Sequence, residues 1–271
     1  MPLDAIGAEG AFERADARFD GVRRQVLIAI FAIRPKFERH VFLAHAKDPK
    51  RGPAVRGAQP KPTSMSKASR PLQNRVDPFG ELHAVPMRGG MMGNRGGRLH
   101  RDDQTLSGSR WKTRHWLICV CEFKARRRDV WGRYYTELFF LDEPTALAAG
   151  HRPCFECRRQ AAKAFIAAFP GAPRKVDAMD EALHRERVDI RRKRVWRSRL
   201  GDLPDGAMIA RERGPYAVRS GALLPWSFAG YDAPAPLDAE AFVDVLTPPS
   251  TVATLKRGYE PLWPDALKAQ R

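Results

Sequence analysis

From Trp111 onward, apolar residues fall into runs and periods that predict definite elements. His115–Phe123 is an apolar run that reads as a strand. Lys124–Arg128 is a polar connection, and Asp129–Phe140 is strand material interrupted at Gly132. Asp142 is placed to cap a short helix with Pro144 in its first turn, and Gly150 to stop it. His151–Cys157 reads as a tight turn, and Arg158–Phe169 as a helix with Ala161, Ala164, Phe165 and Ala168 on one face. Val176–Leu200 reads as one long charged helix whose thin apolar face is Val176, Met179, Leu183 and Ile190. Ala207–Arg211, Tyr216–Arg219 and Ala222–Trp226 have hairpin spacing, with Gly214-Pro215 and Ser220-Gly221 as turns. Phe242–Leu246 is a further strand, and Thr251–Lys256 is a closing helix that ends at Gly258.

Upstream the pattern is poorer. Residues 71–110 are Gly-rich and loop-dominated, with short extended pieces near Leu82–Val85. Gly93–Gly97 offers either a backbone nest for a phosphate or a set of turns needing positive φ. In residues 1–64 an amphipathic stretch from Phe12 to Phe42 is broken by Pro35, and a Pro/Gly/Lys tract to Thr63 reads as a flexible linker. Met65 would make an ordinary start, so residues 1–64 are expected to be a disordered arm or a non-native extension. The expected fold class is α+β. Its expected parts are a Gly-rich loop segment (65–110), a zinc-knuckle domain (111–170), a charged helical segment (171–206) and a small C-terminal antiparallel sheet with its closing helix (207–271).

Composition narrows the function. With 271 residues, 43% of them hydrophobic, a core of ordinary size can form. The longest apolar run, Val26–Ile33, is far too short to span a bilayer. The N-terminus is acidic and Ala-rich, without the order of a secretory signal, so the expectation is a cytoplasmic protein with no membrane partner. The net charge is +17, and residues 65–130 alone carry 14 basic and 6 acidic side chains. A polyanion partner, nucleic acid and DNA first, is the functional reading of that excess. A generally Arg-rich composition is the competing one.

The four cysteines are too few for a disulfide framework and lie close in sequence, which points to metal or redox chemistry. Cys154-x-x-Cys157 suits two thiolates on one ion, with the intervening amides directed at the sulfurs. Cys119 and Cys121 would share a strand face and complete a four-cysteine site for one structural Zn2+. His115 and His151 are candidate substitutes for a displaced cysteine. Redox use of Cys154-x-x-Cys157 would need a strand before it and a helix opening at its first cysteine. Burial of Cys119 and Cys121 as plain core residues is the third possibility.

The stretch Phe139–Cys157, with Ala149-Gly150-His151-Arg152-Pro153-Cys154-Phe155-Glu156-Cys157 at its end, resembles the zinc-binding domain of Ada-type DNA alkyl-repair proteins. The resemblance implies a structural zinc, a compact α+β knuckle and proximity to DNA. The chain departs from that family in its first pair, which is Cys119-x-Cys121 rather than Cys-x-x-x-Cys, and it has no Pro-Cys-His-Arg sequence. A methyl-accepting role would fall on Cys119 or Cys121.

Arg126, Arg127, Arg128, Arg152, Arg158 and Arg159 surround these cysteines and are the expected phosphate contacts, with a solvated face or pairing with Glu122, Glu137 and Glu156 as the competing reading. Trp111, Trp116, Trp131, Tyr134 and Tyr135 are candidates for base stacking or for core packing. For an enzyme, His83, His100, Asp102 and Asp103 are the candidate ligands of a second, catalytic metal. His184 with Glu181 and Glu186 forms no metalloprotease pattern. The favoured reading is a zinc-stabilised nucleic-acid-binding protein. A metal-dependent nuclease or Ada-like alkyl-transfer protein is the alternative, and a protein-interaction domain comes third.

Overall fold

A computed structural model of the chain describes residues 70–268, apart from 127, 128, 172, 174 and 191. The expectations for residues 1–64 lie outside the described residues.

Period-two alternation builds the first sheet. Its strands are β1 (Arg75–Val76), β2 (Leu82–His83), β3 (Met91–Asn94), β4 (Leu117–Cys119), β5 (Leu138–Phe140) and β6 (Arg152–Pro153), in the order β2-β1-β5-β3-β4-β6. Met91, Ile118, Leu138 and Phe140 point to one face, where they form the main core. Their neighbours Met92, Cys119, Leu117 and Phe139 gather on the other. The Gly-rich segment is mostly loop with short extended pieces, as expected, one of them at Leu82–His83. It supplies three strands, because β1 pairs in parallel with β5 at Arg75↔Phe139, a partner too remote to be read locally. Gly93 belongs to strand β3 rather than to a nest. A Cβ there would sit 2.1 Å from the Leu117 carbonyl oxygen, so only glycine lets β3 and β4 approach this closely.

Helices α1 (Glu143–Ala148), α2 (Arg159–Ala168) and α3 (Val176–Arg187) contribute Leu147, Phe165, Met179 and Leu183 to the same core. Asp142 caps α1, its carboxylate accepting from the Thr145 amide at 2.9 Å. Gly150 ends it in the left-handed conformation (φ +88°), with amides of Gly150 and His151 returned to Leu147 and Ala146. An added Cβ would lie 2.6 Å from Arg187 Cδ. Gly150→Ala is therefore expected to cost about 2–4 kcal/mol, from backbone strain plus overpacking. Denaturant unfolding checks this, and a loss below about 0.5 kcal/mol would contradict the local geometry.

The long helix expected over Val176–Leu200 stops at Arg187. Beyond it lie a short hairpin, β7 (Val188–Asp189) with β8 (Arg192–Lys193), and then β9 (Trp196–Arg199). The apolar face ends where Leu183 does, and Ile190 is exposed with φ +51° at the hairpin turn. Trp196 and Ser198 are half-buried and Arg197 and Arg199 exposed, which is strand rather than helix alternation.

The second sheet follows the sequence more closely. To β9 it adds β10 (Met208–Arg211), β11 (Gly214–Arg219), β12 (Ala222–Ser227), β13 (Gly230–Tyr231), β14 (Ala235–Pro236) and β15 (Phe242–Val245). Its pairings are antiparallel. Ser220-Gly221 is the tight turn expected, both residues having positive φ, whereas Gly214-Pro215 opens β11 instead of turning. Helix α4 (Pro249–Lys256) places Leu255 in the core of the first sheet and Val252 in that of the second. A last short helix, α5 (Asp265–Lys268), follows. The four segments distinguished along the sequence after residue 65 thus share cores, and residues from Arg70 onward form one compact unit. The architecture is mixed α and β, with strands predominating among the described residues. Among those residues no helix is long and apolar enough to cross a membrane.

Candidate metal centre

Strands β4 and β6 run parallel with Ile118 opposite Pro153, so the next residues, Cys119 and Cys154, emerge side by side. The Cys154 amide donates to the Ile118 carbonyl at 2.9 Å and fixes that register. The chain then turns, with the Arg158 amide donating to the Cys154 carbonyl at 3.0 Å, and Cys157 comes back beside them just before α2. The sulfurs of Cys119, Cys154 and Cys157 all lie within 4.8 Å of one another. Tetrahedral zinc with Zn–S bonds of about 2.3 Å needs sulfurs about 3.8 Å apart, so a small closure suffices.

The donor set fits a thiophilic ion. The Glu156 amide approaches the Cys154 sulfur at 3.4 Å. Hydrogen bonds from the Cys119 and Cys157 thiols, aided by the turn's amides, hold the Cys154 pKa far below the ordinary thiol value. Cys119 is driven up by the same hydrogen bonds and by burial. The lowered Cys154 value favours the thiolate, the form in which cysteine binds a metal.

Cys121 does not join the group. Strand β4 ends at Cys119, so the alternation that would have put both cysteines on one face is lost. The exposed Cys121 thiol instead faces the Gly90 carbonyl at 3.6 Å. Neither histidine substitute joins it either. His151 is wholly buried between Trp116 and Phe140, and its Nε2 accepts from Arg95 Nε at 3.3 Å. Burial and the Arg95 charge lower its pKa well below the usual imidazole value. His115 lines the same cleft as the cysteines, but its Nδ1 lies 2.7 Å from the buried carboxylate of Asp180. His115, Asp177 and Asp180 form a second close donor group, in which Asp180 already receives Arg152.

The three sulfurs open into a cleft of about 660 Å³. Arg126, Arg133, Tyr134 and Tyr135 line it, as do Asp129, Glu137 and Glu156. Tyr134 is 71% exposed and Tyr135 49%. Trp116 and Trp131 are core residues.

The expected phosphate contacts divide. Arg152 and Arg158 are buried in bidentate ion pairs, with Asp180 (2.7 and 2.8 Å) and with Glu143 (2.6 and 2.7 Å), so neither reaches solvent phosphate. Arg126 is exposed and pairs with Glu156 at 2.7 Å, and Arg159 is exposed at the start of α2. Arg127 and Arg128 lie outside the described residues. The residues considered for a second metal do not gather: His83 pairs with Asp77, His100 bonds Thr136, Asp102 pairs with Arg98, and Asp103 receives Thr105. His184 lies against Arg187 and Trp111, Glu181 pairs with Arg114, and Glu186 holds Ser250.

Sequence reasoning missed Asp180 and Glu143 as partners of the two arginines, and Arg133, Asp129 and Glu137 as cleft residues. A charged side chain carries no local sign of the remote partner that buries it. No protein-family model, curated protein or solved structure matches this chain.

Proposed function

We propose that this chain is a zinc-binding protein that takes up nucleic acid at the cleft beside its metal centre. Cys119, Cys154 and Cys157 would hold one Zn2+, and the ion would supply fold stability and a Lewis-acidic position at the cleft floor. The three-thiol group opening into a cleft walled by exposed tyrosines is the observation that carries the reading. The acids Asp129, Glu137 and Glu156 offset Arg126 and Arg133, so few phosphates are neutralised here. Stacking on Tyr134 and Tyr135 then has to contribute a large share, which favours unpaired bases over an intact duplex. The net charge of +17 adds attraction that does not depend on sequence.

A second reading as an enzyme rests on one feature. Three cysteines would leave one position of a four-coordinate zinc to another ligand, and the adjoining cleft gives such a ligand access, as catalytic rather than closed structural zinc requires. The Ada-like sequence Ala149–Cys157 makes alkyl transfer to a zinc-bound cysteine one such chemistry, with Cys119 now the first-pair residue in the group. Hydrolysis of a nucleic acid is the other.

Fluorescence anisotropy with a labelled single-stranded oligonucleotide, at two salt concentrations, tests both readings. The zinc-loaded chain is expected to bind, and Tyr134→Ala to weaken binding by about 1–3 kcal/mol. Arg126→Ala with Arg133→Ala is expected to flatten the log-affinity against log-salt slope by about 1.4, at about 0.7 per phosphate. Recovery of the oligonucleotide intact supports the binder. Cleaved strands, or a methyl group moved from an alkylated strand to Cys119, would establish the enzyme, and no binding at low salt would remove the nucleic-acid reading.

A further inference from the structure

Away from the cysteines, the turn after β3, the end of α3 and the β7–β8 hairpin converge on a small, partly open cavity of about 10 Å³. That is room for one water-sized body. Four cations line it, namely Arg95, Arg110, Arg187 and Lys193, and no carboxylate does among the described residues. Arg110 is balanced by Glu81 at 2.6 Å. The other three have neutral acceptors. Arg95 donates to the Gly80 carbonyl (2.9 Å) and to His151. Arg187 donates to the carbonyls of Gly150 (2.8 Å) and Arg114 (2.7 Å), and Lys193 to that of Ala148. Arg95 is 1% exposed and Arg187 0%, and the Arg187 Nε has no hydrogen-bond partner among the described residues. Both guanidiniums also lie against Trp116, 4.1 and 4.0 Å from its ring centroid. The acids that act on these cations have partners of their own: Glu81 pairs with Arg110, Asp77 with His83, and Asp180 with Arg152 and His115.

Desolvating charges of one sign together is costly unless a counter-charge accompanies them. We infer that this cavity is a binding site for one small monatomic anion of the halide class, chloride first, held by Arg187 Nε, Arg95 and Lys193. Size favours the class, because space of about one water molecule suits a small monatomic anion better than phosphate, sulfate or an organic carboxylate. Burial and mutual repulsion push the Arg95 pKa down to about 9 and that of Lys193 to about 7, and a bound anion would relieve both. The anion would tie β3, α3 and β8 to Trp116, whose carbonyl accepts the Arg152 amide next to the metal centre.

Thermal unfolding of the full chain, with zinc content held constant, tests the site. Sodium chloride is titrated against sodium gluconate at fixed ionic strength. At ten times the dissociation constant chloride is expected to raise Tm by about 3–6 °C, with saturation, and bromide to act similarly. Lys193→Met removes the one lysine of the three cations and is expected to abolish most of that increment. Equal Tm in chloride and gluconate would overturn the site, as would a full chloride response in Lys193→Met. A larger response to sulfate than to chloride would overturn the halide class. Should Lys193→Met not fold, anomalous scattering from a bromide-soaked crystal of the unaltered chain decides, by density in the cavity or none there.

Discussion

With zinc held by Cys119, Cys154 and Cys157 as proposed, replacing Cys154 with Ser, or stripping the ion with a chelator, is expected to unfold the sheet edge that carries β4 and β6 and to take the rest of the unit with it. Structural zinc contributes apparent free energies of about 10–16 kcal/mol in small zinc-dependent folds. A domain's whole stability is about 5–15 kcal/mol, so even part of that contribution is decisive. The sensitivity follows from position. Cys119 ends β4 and Cys154 follows its partner β6, and Cys157 leads into α2, whose Phe165 is fully buried in the main core. Elemental analysis together with Tm checks the outcome. Cys119→Ser and Cys157→Ser are expected to lose zinc as Cys154→Ser does, and Cys121→Ser to keep it, since that thiol faces the Gly90 carbonyl instead. Zinc retained by Cys154→Ser, or lost by Cys121→Ser alone, would show that the ion sits elsewhere.

Glu143→Ala is expected to cost about 3–5 kcal/mol, because it strips a buried cation of its partner. The Glu143 carboxylate is wholly buried and accepts from both terminal nitrogens of Arg158, from the Tyr259 hydroxyl at 2.6 Å and from the Leu262 amide at 2.8 Å. One side chain at the start of α1 thus joins α2 to the segment after α4. The exposed pair Arg126–Glu156 is the internal control, and Arg126→Ala should cost no more than about 1 kcal/mol. Urea unfolding of both variants measures the contrast, and similar small losses would show that the Glu143 pair is not in place in solution.

Much of the local structure was legible because its causes are local. The Asp142 cap, the stop at Gly150, the Ser220-Gly221 turn and the strands around Met208, Ala217, Leu224 and Val243 each depend on a few neighbouring residues. Two of the four cysteines were placed by spacing alone, since the turn Cys154–Cys157 is set by its own backbone. Cys119 followed from its place on a strand, and Cys121 was misplaced by the same reasoning, because nothing nearby marks where pairing between β4 and its neighbours ends.

The tertiary structure decided the rest, and the reason is desolvation. A run of charged residues is read from sequence as a solvated face, so Val176–Leu200 passed for one charged helix. Only the packed chain shows Arg187 drawn into the interior, the helix ending there, and the following residues used as strands of a sheet whose partner β15 lies more than forty residues on. Arg152 and Arg158 stand in the sequence as ordinary basic neighbours of a metal motif. Asp180 and Glu143 make them buried ties, and that exchange of water for a remote carboxylate cannot be read from either residue alone. Composition and short spacings determined that the chain is basic and that Cys154 and Cys157 share a turn. Which charges remain available to a partner, and which thiols meet, was settled by pairings across the fold.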